Sequence, residues 1–373
     1  MISRNAALFL LLLVPFAAQA AEHRTQAREA IAWQSGMEVS LENLLGEATI
    51  VGGAGNEIVV EVEVVANDRD AEAARALAEQ VVLRQSRRGN TVEMWLEYPT
   101  GEHDEFRYRT ERWSGNTNTS YRGDRVRISS RRGADVHALI RVSVPAGAAF
   151  KMTNQVGMLQ ADGVRGDLDV RTGSGRITAA NGNGSLAANS GSGSVSVEKH
   201  SGAVRARTGS GSLALADVEG DVDASTGSGS IRAERVAGNE VKLRTGSGSV
   251  RIADLRGALN VGTGSGSVRI GNLSSGADLS VTTGSGSIRV DGDLGPVTNL
   301  RMSTGSGSIG VDSAGIPNVK LLARAGSGSV EVDVPNMSNV SARRNRVEAV
   351  LGTGAGEARL TTGSGSIRFN AGN

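Results

Sequence analysis

From Gly166 onward, apolar residues recur in pairs spaced two apart on either side of a short glycine-serine tract. Leu168/Val170 precede an early tract and Ile177/Ala179 follow it; Val222/Ala224 and Ile231/Ala233 flank a later one; Leu300/Met302 and Ile309/Val311 flank one later still. Period-two alternation predicts a strand with one buried face, so each unit reads as strand, sharp turn, strand. The tract is Thr-Gly-Ser-Gly-Ser followed by Ile or Val at Thr226–Ile231, Thr245–Val250, Thr263–Val268, Thr283–Ile288, Thr304–Ile309 and Thr362–Ile367, with variants at Thr172, Ser190, Thr208 and Ala325. The first glycines of successive tracts, from Gly173 to Gly326, lie 18, 18, 18, 19, 18, 20, 21 and 21 residues apart.

A unit of this length cannot bury its apolar face alone, but stacked copies can, placing Ile on Ile and Val on Val. The expected fold is all-β: a parallel β-solenoid with two short strands per coil of about 18 residues, right-handed winding being the preferred hand. A flexible Gly-Ser linker has no reason to keep branched apolar residues in phase on both sides of every turn. Glycine suits a corner that needs positive φ or crowded backbones. Serine hydroxyls can satisfy groups the corner leaves unpaired. The Thr before each turn shares parity with the inward residues and is expected to point in. A looser second corner is marked by Val164/Gly166, Val218/Gly220, Val236/Gly238 and Leu255/Gly257.

The chain before the repeat, residues 37–150, reads as a β-rich region with one helix. Alternation in Glu57–Val65, Thr91–Tyr98 and Ala138–Val144 predicts strands. Asn67–Leu83 is the helix, with Asn67, Asp68 or Asp70 as cap and Ala73, Leu77 and Val81 on one face. Residues 21–36 carry little pattern and read as a leader. The repeat runs over 151–334; Pro335 breaks the period, and 335–373 reads as a capping excursion followed by terminal rungs. Open solenoid ends expose unpaired strand edges, which makes the N-terminal region and this excursion the natural caps.

Composition changes the picture in two ways. Arg4, the apolar run Ala6–Phe16 and Ala18-Gln19-Ala20 form a signal peptide over residues 1–20, so the protein is expected to be exported, to the periplasm or the cell surface. Without those residues the balance is 39 basic against 39 acidic, which does not suggest a nucleic-acid binder. No later run is apolar enough to span a membrane. The Cys count is 0, so stability is expected to rest on packing and hydrogen bonding without disulfides.

No enzyme constellation stands out. His23, His103, His137 and His200 lack metal-ligand spacing, the turn serines have no His and Asp in phase to activate them, and no Gly-Lys-Ser/Thr completes a phosphate loop. Calcium-binding solenoids need Asp in the turn, where this chain has Ser. No catalytic residue, cofactor or metal is expected.

Two features remain as candidate ligand sites. Arg232, Arg251, Arg269 and Arg289 each follow the first inward residue of four successive strands and should stack outward as a ladder. Such a row suits an anionic envelope polysaccharide or lipopolysaccharide; the plainer reading is a solvated face neutralised by Glu234, Asp254, Asp291 and Asp312. The second is the segment holding Trp95, Tyr98, Phe106, Tyr108, Trp113 and Tyr121, six of the nine aromatics beyond residue 20. There Phe106, Arg107, Tyr108, Arg109 and Trp113, with Arg112, combine rings and guanidinium groups. Its plainer reading is a long hairpin whose rings pack on the first rungs.

The segment Val142-Ser-Val-Pro-Ala-Gly-Ala leading into Asn154-Gln-Val-Gly, the unit Val164-x-Gly-Asp-Leu-x-Val and the repeated turn resemble the bacterial putative-adhesin family of exported β-strand-repeat proteins, from about Met37 to the end. The resemblance implies an exported β-solenoid without known catalytic residues. Many relatives carry Asn-Gly-Asp or Gly-Asp at the turns, where this chain has Ser. The expected role is a structural or adhesin-like scaffold of the cell envelope whose partner is an envelope polysaccharide, lipopolysaccharide or another envelope protein.

Overall fold

Backbone groups on both sides of the Gly-Ser turns find their partners in the adjacent coil of the stack, and this sets the architecture. The computed structural model describes residues 21–110, 113–274 and 278–372; the signal-peptide reading and Arg112 fall outside these residues. Strands before the turn stack in one parallel ladder, with Leu168, Leu186, Val204, Val222, Val241, Leu259, Leu279 and Leu300 in direct register. Strands after it form a second ladder through Ile177, Val195, Leu213, Ile231, Val250, Val268, Ile288 and Ile309. All these side chains are buried, so the two ladders close on a continuous narrow core. The chain is thus a parallel β-solenoid, as the periodicity requires.

The looser corner has a short third side. Asn181, Lys199, Asp217, Arg235, Asp254 and Asn272 all take positive φ, from 51° at Arg235 to 55° at Asp254. This left-handed residue turns the chain so that His200, Val218, Val236, Leu255 and Leu273 stack inward as one more buried column. The extra residues of the later units fall at this corner, between Val290 and Leu300 for example, so the Gly-Ser turns stay in register despite uneven spacing.

The Thr before the turn does point in. Thr208, Thr226, Thr245, Thr263, Thr283 and Thr304 are buried in a continuous row that Asn43, Asn154, Thr172 and Ser190 extend toward the N-terminus.

The solenoid starts earlier than the repeat. Strand Glu38–Gly53 is itself a coil, pairing with Ala149–Val156 on one side and Leu159–Asp162 on the other. Thr91–Glu97 continues the first ladder outward and Asp135–Pro145 the second. Then come antiparallel Glu57–Asp68 and, outermost, Ala21–Ala32. The segment read as a leader is therefore an edge strand over Ala21–Ala32, paired along its whole length. It looks patternless because an edge strand here buries little, Ile31 being its one buried side chain. The helix spans Ala71–Glu79, shorter than 67–83, because Asn67 and Asp68 belong to the preceding strand and Val82 and Leu83 to the next. Asp70 is its cap, its carboxylate accepting the Ala73 amide at 2.8 Å. Among the described residues no helix is long and apolar enough to cross a membrane.

The C-terminal end departs from expectation. Coil Gly356–Ala371 is not terminal: it lies between the coil of Asn299–Ser313 and that of Val319–Asp333. The excursion does cover an edge, since Arg346–Val350 pairs antiparallel with Val319–Ala325 and Ser338–Arg343 pairs outside it.

Candidate anion-binding face

On the strand after the turn, residues at odd offsets from the buried Ile or Val face solvent. This puts Arg232, Arg251, Arg269 and Arg289 on adjacent rungs of one face, each directly beside the next. All four are exposed. The row begins after Ala214 and is interrupted at Gly310. Arg368 then resumes it, because the inserted C-terminal coil occupies the next rung. Sequence order hides Arg368 from the row, although its place after Ile367 repeats that of the other four.

The acids do not neutralise the row evenly. Arg232 has Glu234 at 3.2 Å, and Arg368 has Glu331 at 3.1 Å. Among the described residues, Arg251, Arg269 and Arg289 have no ion pair. Two positions along, Arg251 and Arg269 face Ala253 and Gly271 in place of an acid. Asp254 is engaged by Asn272 at 3.1 Å and Asp312 by Asn370 at 2.7 Å. Strands one rung apart, about 4.8 Å, hold like charges close enough to repel; Arg251 and Arg269 are the stretch of the row with no acid two positions along, whereas Arg289 has Asp291 there.

The other Arg positions beside the turn differ. Arg207 and Arg244 flank Asp223 at 3.4 and 3.9 Å and share it with Arg205.

The aromatic segment turns most of its rings inward. Phe106 and Tyr108 are buried; Phe106 packs edge-on to Tyr98, and Tyr98 edge-on to Tyr121, both at 5.9 Å between ring centres. The Tyr98 hydroxyl oxygen lies 2.9 Å from both Asn43 Oδ1 and the Leu45 carbonyl oxygen, its single hydrogen shared between the two acceptors, tying the segment to the first coil. Burial pushes the phenols of Tyr98, Tyr108 and Tyr121 upward, so all three stay protonated. Trp113 is half-buried, its indole donating to Ser174 at 2.9 Å in the turn of an early coil. Arg107 pairs with Asp135. Arg109 is exposed but has no exposed ring beside it among the candidates. The segment forms a small three-stranded sheet, Glu105–Arg107, Asp124–Ser129 and Asn116–Tyr121, lying against the first rungs. Arg122 instead sits over the Trp95 ring at 4.1 Å.

Against known proteins, the sequence profile of the Toastrack DUF4097 family matches residues 140–370. The chain belongs to that family. The matched stretch takes in the Toastrack chain's Arg row, its Gly-Ser turns and the inserted C-terminal coil, and the family expectation from the repeat is met. None of the curated proteins compared with the chain is similar to it. Two solved structures are similar over most of their length. A putative cell adhesion protein from Clostridium sporogenes shares 10% identity, covering 95% of this chain and 100% of its own, at a TM-score of 0.20. A putative adhesin from Bacteroides fragilis shares 10% identity, covering 92% and 96%, at a TM-score of 0.22. Likeness at this level decides nothing about function.

Proposed function

We propose that this Toastrack chain is an exported, non-enzymatic scaffold of the cell envelope that acts by adhesive contact with an anionic surface polymer. The observation that carries the reading is the row Arg232, Arg251, Arg269 and Arg289, exposed on one face in single-rung register. A rigid core holds the four guanidinium groups in line along the rod axis, so binding a linear polyanion there orders little beyond the side chains themselves. The three without an acid partner gain a counter-charge on binding without first breaking an ion pair. Export is supported by the n-region, apolar run and Ala-x-Ala pattern of residues 1–20. A non-catalytic role is supported by the turns, whose Thr hydroxyls are spent on backbone groups.

Retention on immobilised heparin and on lipopolysaccharide, measured against salt, tests the reading. Retention that weakens with rising salt is expected, since exposed charges are screened within about 8 Å at physiological ionic strength. The variant with all four arginines changed to Gln should elute at markedly lower salt while keeping its circular dichroism. Equal retention of variant and parent on both matrices would rule the Arg row out.

A further inference from the structure

The order of coils in space departs from their order in sequence at one place. Leu300 and Met302 lie beside Ala358 and Leu360, and these lie beside Leu321 and Ala323. On the second side Ile309 and Val311 meet Ile367 and Phe369, which in turn meet Val330 and Val332. The final coil thus fills a slot whose two walls both precede it in the chain. Its seating is that of any interior coil: Thr362 donates its hydroxyl to the Gly307 carbonyl at 2.7 Å and accepts the Gly365 amide at 3.1 Å. The far wall takes the Thr362 carbonyl through the Gly326 amide at 2.8 Å.

The coil is joined to the rest by Leu351-Gly-Thr-Gly-Ala355, a short connection in which Gly352 and Gly354 take φ of 58° and 68°. Such glycines permit a change of direction at little steric cost. The hairpin before it, Ser338–Val350, is anchored on the outer edge of Val319–Ala325, away from the slot.

We infer that this slot is an interaction site between copies of the chain, able to take the terminal coil of a second copy in place of its own. The strand pairings that hold the coil run to the two walls. A coil from another copy therefore makes the same hydrogen bonds and buries the same Leu360, Ile367 and Phe369. Only the connection favours self-insertion, by an effective concentration on the order of millimolar for a short linker. An empty slot leaves two parallel strand edges on each wall unpaired and exposes apolar side chains, which favours refilling by whichever coil is at hand. Because each copy both offers a coil and presents a slot, exchange closes into a two-fold dimer or runs on as a chain of copies. The partner is a second copy of this protein, and the inference stands apart from the Arg row.

The chain has no Cys, so introduced thiols report directly on which coil fills the slot. Ser303 and Thr361 are register partners across the slot wall, at a strand spacing that a disulfide spans. Full-length Ser303→Cys and Thr361→Cys chains are unfolded, refolded together at several concentrations and oxidised, and the products separated without reductant. Ser196→Cys and Ala214→Cys, partners in the interior of the stack, serve as the control pair. Exchange predicts a mixed disulfide dimer for the slot pair well above the control. While it is a minor product, its fraction should rise about tenfold for each tenfold rise in concentration. The double variant Ser303→Cys/Thr361→Cys should close internally when refolded dilute, reporting that the coil seats as described. If the slot pair gives no more mixed dimer than the control pair at any concentration, coil exchange is overturned.

Discussion

Thr226 donates its hydroxyl to the carbonyl of Gly211, one coil back, at 2.8 Å, and the same oxygen accepts the amide of Gly229 in its own turn at 3.1 Å. One buried oxygen thereby satisfies two backbone groups and ties neighbouring coils together at the corner. Thr245, Thr263, Thr283 and Thr304 repeat both bonds, and Ser190 makes them at 2.9 and 2.8 Å. The conspicuous turn is therefore a seam between coils, with its hydroxyl facing the core.

Thr226→Val keeps the shape and removes the oxygen, leaving a buried carbonyl and amide each short of a partner. A loss of about 2 kcal/mol is expected, since a buried group left unsatisfied costs roughly 1–3 kcal/mol. Thr226→Ser keeps both bonds and should stay within about 1 kcal/mol of the parent. Urea unfolding midpoints of the two variants decide this; equal midpoints would mean the hydroxyl contributes nothing.

The glycines of the turn answer to crowding between coils. A Cβ on Gly229 would stand 1.9 Å from the Gly211 carbonyl oxygen, the acceptor that Thr226 uses, and Gly229 has no positive φ to explain its identity. Gly229→Ala must push two coils apart and is expected to cost about 3 kcal/mol or more. Gly262, outward on the strand Val250–Thr263, has no heavy atom closer than Arg244 Cγ at 4.0 Å. Gly262→Ala should instead stabilise by about 0.4–1 kcal/mol through the unfolded chain. Melting temperatures shifting in opposite directions are the expected result, and a destabilised Gly262→Ala would contradict the account.

The coil was legible in sequence because everything that makes it is local: Leu168, Val170, Ile177 and Ala179 show their alternation within one repeat. The inward Thr followed from parity alone. Position within the stack was not legible, since Thr362-Gly-Ser-Gly-Ser-Ile matches any interior coil and nothing in it says which neighbours it will have. Ala21–Ala32 was missed because its partner Glu57–Asp68 carries the apolar signal for both strands. The outward Arg row could be read from the repeat, while the engagement of Asp254 by Asn272 and of Asp312 by Asn370 depends on the second corner, where the repeat is least regular. Phe106 and Tyr108 offered aromatic character without the long-range contacts that bury it.

His200 shows the same limit and carries a pH dependence. It looks isolated in sequence, yet it stands in the inward column of Val218, Val236 and Leu255. The preceding coil has Gly182 at that level, where a Cβ would come within 2.7 Å of His200 Nδ1, so the imidazole fills the space a side chain would take. Its Nε2 donates to the Gly184 carbonyl at 2.9 Å. Burial lowers the His200 pKa below its ordinary value, the carbonyl only partly opposing this. The folded state thus favours the neutral ring, and its stability is fully present above the unfolded value of about 6.5. It is lost as pH falls from there through the lowered folded pKa. His137, half-buried against Tyr108, shifts in the same direction, so only a comparison isolates His200. His200→Val should be less stable than the parent at pH 7.5, having lost a hydrogen bond and some filling, but should lose less stability on going to pH 5. Thermal unfolding of both chains at the two pH values measures this. Parallel pH profiles would show that the His200 ring does not titrate against the fold.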